Sequence, residues 1–209
     1  DKYQLMWSFR TNSMFDLADY YSMNSVMLDE HFRSLPPIIN FSNHEFYNDR
    51  IRVMRKDKPD ENVLELVEVM DGKVDFDATR NLPEIEALVK RLHEIIPVTV
   101  GIISPLRAQV EQLKVSVSKV LSDYMIKKHQ IEIGTAHTFQ GDERDIMMIS
   151  WAVADNSYTQ SLMFMQKANL FNVAITRGRN KVINFVSRNP RELPDGHFRN
   201  YVSYMQNYQ

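Results

Sequence analysis

The stretch VTVGIIS, residues 98–104, decides the fold. Seven uncharged residues end at Pro105, with β-branched side chains predominating. A continuous apolar run of this length reads as a strand buried on both faces, the kind found in parallel sheets. On its N-terminal side, Ile85, Leu88, Val89, Leu92, Ile95 and Ile96 fall at helical spacing behind Pro83 and Glu84 in the first turn. On its C-terminal side, Pro105 opens a second helix whose apolar positions are Leu106, Val110, Leu113, Val117, Val120 and Leu121. Further strands are expected at 131–135, 145–151 and 181–186, and a helix near 162–176. Strands alternating with amphipathic helices predict an α/β fold with a mostly parallel, doubly wound sheet.

Before this core, Ser13 to Tyr21 reads as a helix capped by Ser13, and Val26–Met27–Leu28 as a short strand. Pro36–Pro37 opens a helix through Phe46–Tyr47. Val63 to Val69, Asp71–Gly72 and Lys73 to Phe76 read as a hairpin, so 48–80 is expected to be an excursion from the sheet within one domain spanning 1–209. Net charge is −2, so any nucleic-acid contact needs a local cluster of donors rather than a global basic field. No cysteine is present, which removes disulfides and thiolate chemistry and suits a reducing, cytoplasmic setting. The six histidines lack ligand spacing, so no metal site is expected. No apolar run has membrane-spanning length.

Polar and basic groups flank the strands. Arg33 follows the first, Arg107 the VTVGIIS strand, and His137 to Glu143 the strand at 131–135, while Asn172 to Arg179 precede the last. In open α/β sheets ligands sit beyond the carboxyl ends of the strands, so these groups are expected at one rim, as a phosphate-scale site.

Several of these blocks resemble, in order and spacing, the second RecA-like domain of superfamily-one helicases. The resemblance is to the branch holding the nonsense-mediated-decay helicase and the replication helicase-nuclease. Leu28 to Tyr47 (LDEHFRSLPPIINFSNHEFY) is similar to its YR-x-x-P block, and Gly101 to Gln109 (GIISPLRAQ) to its G-I-I-T-P-Y block. Gly134 to Ser150 (GTAHTFQGDERDIMMIS) resembles motif V, and Asn172 to Arg179 (NVAITRGR) resembles motif VI. Asp1 to Leu5 (DKYQL) looks like motif III without its glycine, so residues 1–12 read as a remnant of that motif and an interdomain segment.

The resemblance implies roles. Arg33 and Arg177 match two arginine fingers that stabilise the charge on a transferring γ-phosphate held by another domain. Gln4 would sense that phosphate and its attacking water. Glu143 would contact the ribose, Gly141 would allow close backbone approach, and Arg179 would support Arg177. Ser104, Thr135 and His137 match positions that touch a single strand of DNA or RNA through its backbone, with Arg107 added on charge grounds. ATP with Mg²⁺ would be seated mainly by an N-terminal RecA-like domain of the same protein, and no membrane partner is implied. This chain has no G-x-x-x-x-G-K-[ST]; its one Gly–Lys pair, Gly72–Lys73, precedes Val74. It is therefore expected not to hydrolyse ATP alone.

The chain departs from the family at Phe32 and Leu106, where tyrosine is usual, and at Gly178, where alanine is usual. Asn169–Leu170 stand in place of basic residues, and Met6–Trp7 in place of prolines. Two other readings stay open: a non-catalytic nucleic-acid-binding module of the same fold, and a self-sufficient doubly wound enzyme. The second needs a nucleophile or paired carboxylates at the rim, where only Asp142, Glu143 and Asp145 stand.

Overall fold

The computed structural model describes residues 14–22, 24–56, 62–75, 79–95, 98–157, 162, 165 and 167–208. The motif III-like segment 1–12 with Gln4, and the expected helix cap Ser13, lie outside the described residues. In chain order the elements are α1 (Met14–Tyr21), β1 (Glu30–His31), α2 (Pro36–Tyr47), β2 (Arg52–Val53), β3 (Leu64–Glu68), α3 (Leu82–Ile95) and β4 (Val100–Ile103). There follow α4 (Arg107–Val120), α5 (Asp123–Lys128), β5 (Glu132–Gly134), β6 (Arg144–Ala154), α6 (Ala168–Ile175), β7 (Gly178–Ser187) and α7 (His197–Tyr208).

Five strands form one parallel sheet in the order β3-β7-β6-β4-β5, the α/β fold expected from the sequence. Side chains alternate between its faces along each strand. Met147, Ile149, Trp151 and Val153 of β6 pack with Ile38 and Phe41 of α2, Phe171 of α6, and Phe198 and Tyr201 of α7. Met148, one residue out of phase, joins Leu88 and Leu92 of α3 and Leu113 and Val117 of α4 on the other face. The VTVGIIS strand sits second from one edge, between β6 and β5, with Val100 to Ile103 all buried. Gly101 is required there, because a Cβ would lie 2.4 Å from Met147 Sδ.

Two expectations fail. Val26 and Leu28 form no strand and are 87% and 92% exposed. A strand needs a partner, and the pairing falls two residues later, where Glu30 and His31 meet Arg52 and Val53 in parallel. Nor do the described residues of 63–76, which exclude Phe76, pair as a hairpin: β3 is an edge strand of the main sheet, parallel to β7 with Leu64 opposite Val182. Gly72 has no positive φ; it lets the chain pass Ser187, whose Oγ would lie 2.0 Å from a Cβ there. The turn thus leads toward α3, with Val74 bridging Asn81.

The start of α3 carries a buried polar hub. Asn81 Oδ1 accepts the Glu84 N–H at 3.2 Å, as an N-cap does. The fully buried Glu84 accepts from Ser150 Oγ (2.6 Å), the Ala152 N–H (2.8 Å), Ser187 Oγ (2.8 Å) and Asn81 Nδ2 (3.3 Å). Gln109 Nε2 donates to Ser150 Oγ at 2.8 Å and to the Asn81 carbonyl at 3.1 Å, so α3, α4, β6 and β7 are tied at one point. Ala152 sits at φ 53° in the irregular part of β6, and its N–H reaches Glu84 from that conformation.

Candidate functional site

The residues singled out in the sequence lie at two rims of the sheet, not one. Glu143 precedes β6, and Arg177 and Arg179 flank the first residue of β7, at the amino ends of those strands. Ser104, Arg107, Thr135 and His137 follow β4 and β5, at their carboxyl ends. The split has a simple cause. Residues 135–143 run from the end of β5 to the start of the parallel β6 without a helix, so the two ends of this one block face opposite rims. Buried Ala136 and Phe139 pin the crossing, while His137 and Gly141 stay exposed.

At the amino rim, Glu143 gathers two arginines. Arg33 Nε donates to Glu143 Oε2 at 2.6 Å. Arg179 Nε lies 3.0 Å from Oε1, an ion pair by distance that lacks hydrogen-bond geometry, and its Nη1 is 3.5 Å from Asp145 Oδ1. Burial opposes ionisation of Asp145, but the Thr99 hydroxyl (2.7 Å), the Thr99 N–H (3.2 Å) and Arg179 outweigh it and hold the carboxyl below its usual range. Gly141 takes φ +88°, with open space where a Cβ would project. Buried Arg144 braces the loop, donating to the carbonyls of Gln130 (3.0 Å) and Glu143 (2.9 Å) and to Glu132 Oε2 (2.7 Å).

Arg177 is placed differently. Helix α6 ends at Thr176, whose hydroxyl donates to the Asn172 carbonyl at 2.7 Å, and this stop delivers Arg177 to the start of β7. Its side chain is half-buried beside a cavity of about 260 Å³ lined by His31, Arg33, Tyr47, Asn172 and Thr176. Its buried Nε has no hydrogen-bond partner among the described residues. Loss of water and the charge of Arg33 lower its pKa, with Glu143 opposing. A guanidinium with a like charge nearby and an unanswered donor is suited to receive an anion. Burial and the arginines Arg33 and Arg55 also hold His31 below its usual range, against the pull of Glu143. Its Nε2 accepts the Ser34 N–H at 3.0 Å, which puts the proton of the neutral ring on Nδ1. Exposed Phe32 and Glu143 line a shallower concavity of about 410 Å³ alongside.

At the carboxyl rim, Arg107, Thr135 and His137 border a cavity of about 480 Å³ whose walls include Ile103, Ile149, Trp151 and Phe171. Ser104 does not reach it: the residue is fully buried, and its Oγ accepts the Leu106 N–H at 3.4 Å. Motif reading did not single out Arg55, Arg144 or His31. Arg55 and Arg144 act through backbone carbonyls, which leave no spacing signal in a sequence. Among the described residues no three histidine, aspartate or glutamate side chains converge as metal ligands, and no helix is long and apolar enough to cross a membrane.

Comparison with known proteins adds relatives to this geometry. Residues 10–189 match a family described as an AAA domain. Putative helicase mov-10-B.2 of Danio rerio is 27% identical over 186 residues, which is 73% of this chain and 18% of that protein. Helicase SEN1 of Saccharomyces cerevisiae is 27% identical over 183 residues, 75% of this chain and 8% of that protein. DNA replication ATP-dependent helicase/nuclease DNA2 of Gallus gallus is 33% identical over 89 residues, 42% of this chain and 8% of that protein. This chain therefore spans a small part of each relative. The crystal structure of the C-terminal domain of a possible DNA helicase from Lactobacillus plantarum WCFS1 is similar at 13% identity and a TM-score of 0.45, covering 75% of this chain and 87% of that one. Matched over most of its length, the chain belongs to this AAA domain family, as a domain of the superfamily-one helicase type.

Proposed function

We propose that this domain is half of an ATP-driven motor that moves on single-stranded DNA or RNA. The observation that carries the reading is the separation of charged groups onto opposite ends of the sheet. At the amino rim, Arg33 and Arg177 act as arginine fingers toward the γ-phosphate of ATP. Arg179 supports them, Glu143 accepts from the ribose, and Gly141 lets the nucleotide approach the backbone. Gln4 completes the γ-phosphate sensing from the segment outside the described residues. The P-loop and the Mg²⁺ seat belong to an N-terminal RecA-like domain of the same protein. In the carboxyl-rim cavity, Arg107, Thr135 and His137 hold the strand's phosphates, and Ser104 shapes the turn beneath them. Closure of the two domains on ATP carries the amino rim onto the phosphates while the carboxyl rim keeps the strand.

Glu143 has a second part in this cycle. With one carboxylate oxygen on Arg33 and the other near Arg179, it is the internal counter-ion that the phosphate displaces. The reading is tested by steady-state ATP hydrolysis. The full-length protein turns ATP over faster when single-stranded nucleic acid is added, and the isolated 209-residue chain does not hydrolyse ATP under any condition. Hydrolysis by the isolated chain, or a full-length protein indifferent to nucleic acid, contradicts it.

A further inference from the structure

Arg55 lies outside every motif-like block of the sequence, two residues beyond β2. Its guanidinium turns back into the amino rim. Nη1 donates to the carbonyl oxygens of Arg33 (2.6 Å) and Arg179 (2.9 Å), and Nη2 donates to Asn180 Oδ1 (2.9 Å). One planar fork thus joins the backbone of one proposed phosphate-facing arginine to the strand that carries the others. The join matters because Arg33 sits between the short strand β1 and the buried Ser34 and Leu35 that lead into α2, outside any strand ladder itself. The strand before it, β1, has two residues and among the described residues pairs with the two residues of β2 alone. Among the described residues the Leu35 N–H also donates to the Arg179 carbonyl, at 3.0 Å, and Leu35 packs in the core that holds Val182 of β7. A guanidinium that donates to backbone oxygens fixes their distance without competing for Glu143.

We propose that Arg55 is a positioning residue for ATP hydrolysis: by bridging the Arg33 and Arg179 carbonyls it sets the spacing at which Arg33 and Arg177 meet one γ-phosphate. The inference rests on the functional reading above. Arg55 touches neither nucleotide nor strand, and its effect on turnover passes through Arg33. Without the fork, the backbones of Arg33 and Arg179 lose their direct bridge, and misplacement of Arg33 by an ångström is enough to lose much of the rate.

The test is a double-mutant cycle in the full-length protein, read as strand-stimulated ATP hydrolysis. Arg55→Met keeps the aliphatic stem and removes every donor. It is expected to lower kcat about 10–100-fold, while KM for ATP moves by less than about threefold. Arg55→Lys, whose ammonium group can still bridge carbonyls, recovers part of the loss. The variant Arg33→Ala/Arg55→Met is no slower than Arg33→Ala, because the residue through which Arg55 acts is already gone. A merely structural role moves stability and multiplies the two losses; that outcome overturns the proposal, as does an Arg55→Met protein with wild-type kcat. If Arg55→Met does not fold, Arg55→Lys enters the same cycle, and a kcat equal to wild type or a loss multiplying that of Arg33→Ala overturns it. A wild-type protein without strand-stimulated hydrolysis overturns the functional reading itself, so the two failures are distinguishable.

Discussion

Glu84 accepts four hydrogen bonds in the core and pairs with no cation among the described residues. Burial raises its carboxyl to about 7, and the donors from Ser150, Ala152 and Ser187 limit the rise. The fold therefore holds the proton more tightly than the unfolded chain, whose carboxyl titrates near 4.5. The stability this group contributes is full below pH 4.5 and is lost as pH rises through about 7, by about 3 kcal/mol in all. The lowered carboxyls of Glu65, Asp75, Asp142 and Asp145 have the opposite sign and act at lower pH, so a difference measurement isolates Glu84. Urea unfolding of wild type and Glu84→Gln across pH 5–8 should give a stability difference that moves against the wild type as pH rises. A difference independent of pH would show that Glu84 stays in one protonation state. At this scale the sequence was only partly legible. Glu84 read as a first-turn helix residue, and its spacing could not report that Ser150 and Ser187 close over it from two distant strands.

At the scale of elements, the buried strands and their helices were the legible part. The apolar run at 98–104, the strand read at 145–151 and the 3.6-residue spacing of α3 and α4 each name an element whose burial the sheet then satisfies. Misreadings fell where local pattern and tertiary pairing disagree. Asp71–Gly72 between the runs 63–69 and 73–76 signals a hairpin locally, but β7 offers Leu64 to Glu68 a parallel ladder instead. The single-rim expectation failed for a related reason, because a helix-free crossing from β5 to β6 sends the ends of one sequence block to opposite rims. That geometry yields a prediction for the carboxyl rim. Arg107 at the start of α4 and His137 in the crossing are both exposed beside the same cavity. Arg107→Ala should weaken single-strand binding equally for different sequences and reduce the salt slope of the affinity by about 1, since it removes one phosphate contact. Fluorescence anisotropy across a salt series checks this, and an unchanged slope would place the strand elsewhere.

For the whole molecule, the sheet works as a spacer between two chemistries. Its amino rim holds Arg33 and Arg179 on one carboxylate, with Arg177 half-buried beside them. Its carboxyl rim offers isolated donors over an apolar cavity. The family blocks made both sets of residues legible in the sequence, but not their division, which needs the strand order β3-β7-β6-β4-β5 and the direction of each strand. Half of a motor is a natural fit for such a part: a guanidinium with an unpaired donor and a like-charged neighbour gains most when an anion arrives from outside. On the proposed function, Arg177 meets the transferring phosphate. The most direct test is single-turnover ATP hydrolysis by full-length Arg177→Ala with ATP and single-stranded nucleic acid saturating. The account predicts a rate about 10³–10⁵-fold below wild type, with ATP still bound. A rate matching wild type would contradict it.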